Sequence, residues 1–127
     1  MYKRQATLME HTVAATPYNL YARSQLAQAY MARGDTARAQ ALYEEVLRAK
    51  PGIAQVQINL GVLAAERRDF ATAIAHYRAG LAVNPASFEG WNNLAAALLE
   101  ERRGAEAAAT LAAVPPDVVV LLSLIHI

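Results

Sequence analysis

The chain has 127 residues, about one domain's worth. It is 55% hydrophobic but only 7% aromatic and 18% charged, so alanine and small aliphatics carry an apolar content too high for a disordered segment. Twelve Lys and Arg against eleven Asp and Glu leave a formal charge of +1, which gives no electrostatic case for nucleic acid or an anionic membrane. With no cysteine, disulfides, thiolate zinc sites and Cys nucleophiles are excluded together. No run approaches the roughly 20 apolar residues that span a bilayer, and residues 1–10 hold no apolar stretch of a secretory signal.

The two ends are related as DNA. The closing LSLIHI (residues 122–127) can be encoded CTG-TCT-CTT-ATA-CAC-ATC. Its reverse complement, GAT-GTG-TAT-AAG-AGA-CAG, reads Asp-Val-Tyr-Lys-Arg-Gln; started at the GTG codon, it yields the opening MYKRQ (residues 1–5). Both ends resemble translated sequencing-adaptor DNA, a transposase-recognition end, and are set aside from fold reasoning. Residues 6–121 are then expected to be an internal slice of a longer protein, lacking native termini and any targeting signal. Removing Lys3 and Arg4 from the twelve basic residues leaves ten against eleven acidic. The compartment stays open between cytoplasm and periplasm.

Taken in chain order, residues 6–19 read as one helix ending near Pro17. Leu20 to Arg33 follows, with Leu26, Ala27 and Tyr30 on one helical face. Gly34 suits a left-handed helix end and Asp35 the cap of the next helix. Thr36 to Lys50 puts Ala39, Tyr43, Val46 and Leu47 on one stripe, and Pro51-Gly52 stops it. The second pair runs from Ala54 to Arg67, turns at Arg68-Asp69, and resumes from Phe70 to Val83 before Asn84-Pro85. Ser87 caps a third pair that starts at Phe88 and turns near Arg103-Gly104; Pro115-Pro116 cuts its second helix short.

These elements recur every 34 residues. The spacing relates Pro17, Pro51 and Pro85; Leu26, Leu60 and Leu94; Ala27, Gly61 and Ala95; Ala39, Ala73 and Ala107; and Tyr43, Tyr77 and Leu111. Ala or Gly beside the leucine lets paired helices approach closely, with the alanine of the second helix facing that contact. The tyrosine or leucine four residues on fills the space between neighbouring pairs. Proline ends the second helix and sets the step to the next pair. No pair buries its apolar face alone, so stacking supplies the core. Gly104 lies two residues later than Gly34 implies. The strict register is kept because it places Ala107, Leu111 and Val114 in apolar columns.

These residues resemble the tetratricopeptide repeat, a helix-pair repeat of this period. Trp91-Asn92-Asn93-Leu94-Ala95 carries its Trp–Leu–small signature, while Arg23 and Gln57 occupy the Trp slot elsewhere. The resemblance implies an all-α, right-handed solenoid of antiparallel helix pairs, the first helix of each lining a concave groove. It divides the chain into a truncated repeat (6–19), three repeats (20–53, 54–87 and a degenerate 88–121), and the two adaptor ends (1–5 and 122–127).

Chemistry has little to stand on. His11 and His76 have no acidic or histidine partner one helical turn on, and a metal or acid–base site needs several convergent groups. Glu44-Glu45 and Glu100-Glu101 are adjacent on helices and point apart, so neither forms a carboxylate dyad. Arg67-Arg68 and Arg102-Arg103 read as solvated helix ends where cations offset the dipole. No phosphate loop, Ser/His/Asp set or nucleotide fingerprint appears. The expectation is a non-enzyme with no cofactor and no metal.

The groove implied by the resemblance exposes Tyr21, Ser24, Gln25, Gln28 and Met31, then Gln55, Ile58, Asn59 and Val62, then Glu89, Asn92, Asn93 and Ala96. Gln25, Asn59 and Asn93 are again 34 apart, and a primary amide both donates and accepts. Such a column could pair with the main chain of an extended peptide, resembling the asparagine ladder of the O-GlcNAc transferase repeats. It could equally hydrogen-bond neighbouring helices, and both readings stay open. The family's carboxylate clamp is rejected: Ser24 and Glu89 stand in its basic slots, Asn93 replaces another, and only Asn59 fits.

The sequence therefore points to a non-catalytic module holding a partner's peptide segment, with self-association through uncapped ends. It binds no nucleic acid and has no membrane span. Two alternatives are the substrate-presenting region of a larger enzyme such as a glycosyltransferase, and a scaffold of a bacterial envelope complex. The Ala- and Arg-rich composition has the look of a GC-rich bacterial genome.

Overall fold

The computed structural model of the chain describes residues 19–115. The readings for residues 1–18 (the first adaptor end, the truncated repeat, His11 and Pro17) lie outside them, as do those for residues 116–127. Among the described residues there are six α-helices and no strand. They are α1 (Leu20–Arg33), α2 (Thr36–Ala49), α3 (Ala54–Glu66), α4 (Phe70–Val83), α5 (Phe88–Glu100) and α6 (Gly104–Ala112). Two compact units divide between Pro51 and Gly52: α1 and α2 belong to the first, α3 to α6 to the second.

Local chemistry sets the helix ends. Asn19 and Ser87 cap α1 and α5, their side chains accepting from the amides of Ala22 (2.9 Å) and Gly90 (3.1 Å). Asp35 and Asp69 cap α2 and α4, accepting from Arg38 and Thr72, each at 3.3 Å. A cap of this kind is worth about 1 kcal/mol. Ile53 and Arg103 hold the corresponding positions before α3 and α6 without a side-chain cap.

The first helix of every pair closes in the same way. Gly34, Arg68 and Arg102, 34 apart, take positive φ of 81°, 61° and 59°. The next residue's amide reaches five residues back: Asp35 to Tyr30 O (2.9 Å), Asp69 to Ala64 O (2.9 Å) and Arg103 to Leu98 O (2.8 Å). This pairing satisfies carbonyls that a helix end otherwise strands. The third turn is therefore at Arg102, and the expectation of a turn near Arg103-Gly104 is corrected. Gly104 is the first residue of α6, with open space around it. The strict 34-residue register holds at the turn because an arginine, not the nearby glycine, takes the left-handed conformation.

In the first unit, Ala22, Leu26, Ala27, Ala29 and Tyr30 of α1 and Ala39, Tyr43 and Val46 of α2 are buried. The guanidinium groups of Arg38 and Arg33 lie over the Tyr30 ring, 5.6 and 5.7 Å from its centre.

The second unit has one core, built by Ile58, Ala64, Ala73, Ile74, Tyr77, Leu81, Leu94, Ala97, Leu98 and Ala107, with Val62, Ala65, Phe70 and Trp91 packed against it. Small residues let its backbones close. A Cβ on Gly61 would stand 2.6 Å from Tyr77 Cδ1, so the tyrosine ring packs directly against that glycine. A Cβ on Gly80 would come within 2.9 Å of Ile58 Cγ1, and one on Gly90 within 3.2 Å of Ile58 Cδ1. Two glycines on two helices thus form the socket for Ile58.

Pair three departs. α6 has 9 residues where α2 and α4 have 14. Ala107 and Val114 are buried as their columns require, but Leu111 is 50% exposed, which corrects its placement as an interior column residue. Tyr77, in the same column, is covered by α3 and α5; among the described residues no helix follows α6 to do this for Leu111.

Candidate functional site

In the second unit α3 and α5 lie side by side over α4, and their outer residues form a polar face. Gln55 is exposed on α3, and its Nε2 donates to Asn59 Oδ1 one turn on (2.9 Å) and to Glu89 Oε2 on α5 (3.5 Å). Val62 and Glu89 are half-buried, Asn92 and Ala96 exposed. Asn93 and Ala96 line a pocket of about 170 Å³ with Ala65, Phe70, Tyr77, Ala97 and Glu100.

Two of the expected face residues are elsewhere. Ile58 is 1% exposed, inside the core, because Gly80 and Gly90 open a socket for it; it is not a groove residue. Asn59 is 8% exposed and its carbonyl oxygen is taken by Gln55, so this member of the amide column is engaged with its own helix. Asn93 is half-buried at the pocket wall. In the first unit, Tyr21 (74% exposed) and Gln28 are exposed, while Ser24, Gln25 and Met31 are half-buried on α1.

The Trp slot of the repeat is a hydrogen-bonding position in all three pairs. Arg23 donates to Glu45 of α2 (3.1 Å), Gln57 Oε1 lies 2.8 Å from His76 Nδ1 of α4, and Trp91 Nε1 donates to the Pro85 carbonyl (2.7 Å). In pairs one and two a polar side chain ties first helix to second; in pair three the indole ties α5 to the preceding proline turn. His76 is thus a half-buried hydrogen-bonding residue.

The Tyr77 hydroxyl is pushed up to about 12, first by burial and then by the Glu89 and Glu66 carboxylates. Arg68 Nη2 reaches Glu100 Oε2 at 3.5 Å, and its guanidinium lies 5.2 Å from the Phe70 ring centre.

A larger cleft, about 540 Å³, lies on the other side of α5, and sequence reasoning did not find it. Leu81, Ala82, Trp91, Leu94, Ala109 and Ala113 line it, with Arg78 and Glu106 among its polar residues. Trp91 and Leu94 share one side of the α5 helix, and Asn93 and Ala96 the other. Glu106 is held below the usual carboxylate range chiefly by its hydrogen bond from Arg103, then by Arg78. Among the described residues no three His, Asp or Glu side chains gather as a metal site, and no helix is long and apolar enough to cross a membrane.

The chain's fold is similar to solved structures of MamA. Against MamA 41-end from Desulfovibrio magneticus RS-1 the TM-score is 0.82 at 17% identity, covering 89% of this chain and 64% of that one. Against MamA AMB-1 it is 0.74 at 24%, covering 85% and 59%; against MamA MSR-1, 0.74 at 23%, covering 86% and 63%. The chain thus spans about three fifths of those proteins. No curated protein sequence matches it. Two family profiles, each described as tetratricopeptide repeat, match residues 24–80 and 64–119. Together they run from residue 24 to residue 119, across all six helices, and the chain belongs to the tetratricopeptide repeat family.

Proposed function

We propose that this chain is a non-catalytic protein-interaction module that holds a peptide segment of a partner protein on the α3–α5 face. One observation carries the reading. Asn93, a half-buried amide with donor and acceptor capacity, stands at the wall of a pocket whose floor is alanine and aromatic ring. Gln55, Asn92 and Ala96 extend that face, and Gln25 and Gln28 hold the related register on α1. Asn59 acts indirectly, through its bond with Gln55.

Selection of peptides from a displayed random library on the immobilised chain tests this. Selected peptides should lose at least ten-fold in affinity on Ala96→Arg, which fills the face, and keep it on Ala109→Arg, which fills the opposite cleft. The reverse pattern refutes the reading and moves binding to that cleft.

A further inference from the structure

The small pocket on the α3–α5 face has a definite size and charge. Its volume of about 170 Å³ equals between five and six waters at about 30 Å³ each, so it takes one side chain and no drug-sized ligand. Phe70 and Tyr77 supply aromatic surface, Asn93 an amide, and Glu100 the one charge among its lining residues. Two further carboxylates, Glu66 and Glu89, act on the Tyr77 hydroxyl of the same pocket. The cation that the structure brings against this lining is Arg68, and it lies in a telling arrangement. Its guanidinium is over Phe70, its tip is at Glu100, and its side chain is 75% exposed.

A guanidinium on an aromatic ring with its fork at a carboxylate is how an arginine is recognised by shape as well as charge. Arg68 holds that arrangement from outside, on an exposed side chain whose ion pair is weak. The pocket beside it is left with carboxylate, amide and ring.

We infer that this pocket is a subsite for an arginine side chain of the partner segment, and that Arg68 competes with it as an internal stand-in. The inference rests on the docking face proposed above and adds the chemistry of its occupant. The partner segment is basic; an acidic tail meets Glu66, Glu89 and Glu100 and is repelled. Arginine is favoured over lysine because a compact ammonium gains less from the ring faces.

The test uses the full chain, labelled with nitrogen-15, titrated with blocked pentapeptides Ala-Ala-Xaa-Ala-Ala in which Xaa is arginine, citrulline or glutamate. Citrulline keeps the shape and removes the charge. The arginine peptide should shift the Asn93 side-chain amide and the Ala96 backbone amide, and bind about two- to five-fold tighter than citrulline, the range of one partly exposed charged contact. Glutamate should bind weakest. Glu100→Gln should abolish the preference for arginine over citrulline, and Arg68→Ala should raise affinity for the arginine peptide. Both variants change exposed side chains, and unchanged thermal melts verify their folding.

Equal binding of arginine and citrulline at Asn93 and Ala96 overturns the arginine subsite and leaves the docking face standing. Silence of both resonances with all three peptides overturns the face as well. Movement of the same resonances on dilution of the chain alone overturns the subsite in favour of a second copy.

Discussion

Gly61→Ala is the sharpest perturbation of the packing. An alanine in mid-helix ordinarily stabilises by about 1 kcal/mol over glycine. At this position its methyl would stand 2.6 Å from Tyr77 Cδ1, and the ring is 2% exposed and part of the unit's core. Overpacking of a core costs about 1–3 kcal/mol, so the helix gain is overturned and the net loss is about 1 kcal/mol. For a unit of 60–100 residues that lowers the melting temperature by about 4–8 °C. Gly104→Ala is the control: nothing lies within 4 Å of its added Cβ, and it should gain about 0.4–1 kcal/mol. Adding Tyr77→Leu to Gly61→Ala should recover part of the loss, since it removes the ring that the added methyl meets. Thermal and urea unfolding followed by circular dichroism read all four proteins. If Gly61→Ala stabilises as Gly104→Ala does, the close approach of α3 and α4 is wrong.

Ile58→Ala should destabilise by about 2–5 kcal/mol as a core truncation, whereas Gln55→Ala three residues away should stay within about 0.5 kcal/mol; urea midpoints separate them. Arg102→Gly should raise stability by about 1 kcal/mol, because it removes a side chain from the left-handed conformation, and Gly34→Ala should lower it by a similar amount. Tyr77 titrates late: its hydroxyl is pushed up to about 12 in the folded chain against 10.0 ordinarily. The stabilisation from keeping it neutral is therefore full below pH 10 and lost as pH rises through 12. Absorbance at 295 nm, as the difference between the chain and Tyr77→Phe, should show that late step, and Tyr77→Phe should lose less stability between those pH values.

The helices were legible because their punctuation is chemical. Asp35 and Ser87 read as caps and are caps, Pro51 and Pro85 follow the second helices, and the structure adds Asn19 and Asp69 as caps of the same kind. Where punctuation failed, a different force decided. Gly104 looks like a turn, yet the register fixed by Leu94, Ala95 and Ala107 puts Arg102 there despite a left-handed cost of about 1–2 kcal/mol. Ile58 shares its column with Ser24 and Asn92, so counting by 34 placed it on the outer face. The socket that buries it comes from Gly80 and Gly90, glycines within helices that periodicity treats as gaps. The amide oxygen of Asn59 accepts from Gln55 one turn back, a local bond that a 34-residue column cannot register. The pockets on the two sides of α5 depend on how it meets α3 and α4 on one side and α4 and α6 on the other, which no single helix encodes.

The docking face is tested most directly by placing a photoreactive benzoylphenylalanine at position 96, and in a second protein at position 109, then irradiating each with a library-selected peptide. Mass spectrometry should find the peptide joined to residue 96 and not to residue 109. Crosslinking from 109 alone, or equally from both, contradicts the assignment of the α3–α5 face as the place where this repeat protein holds its partner.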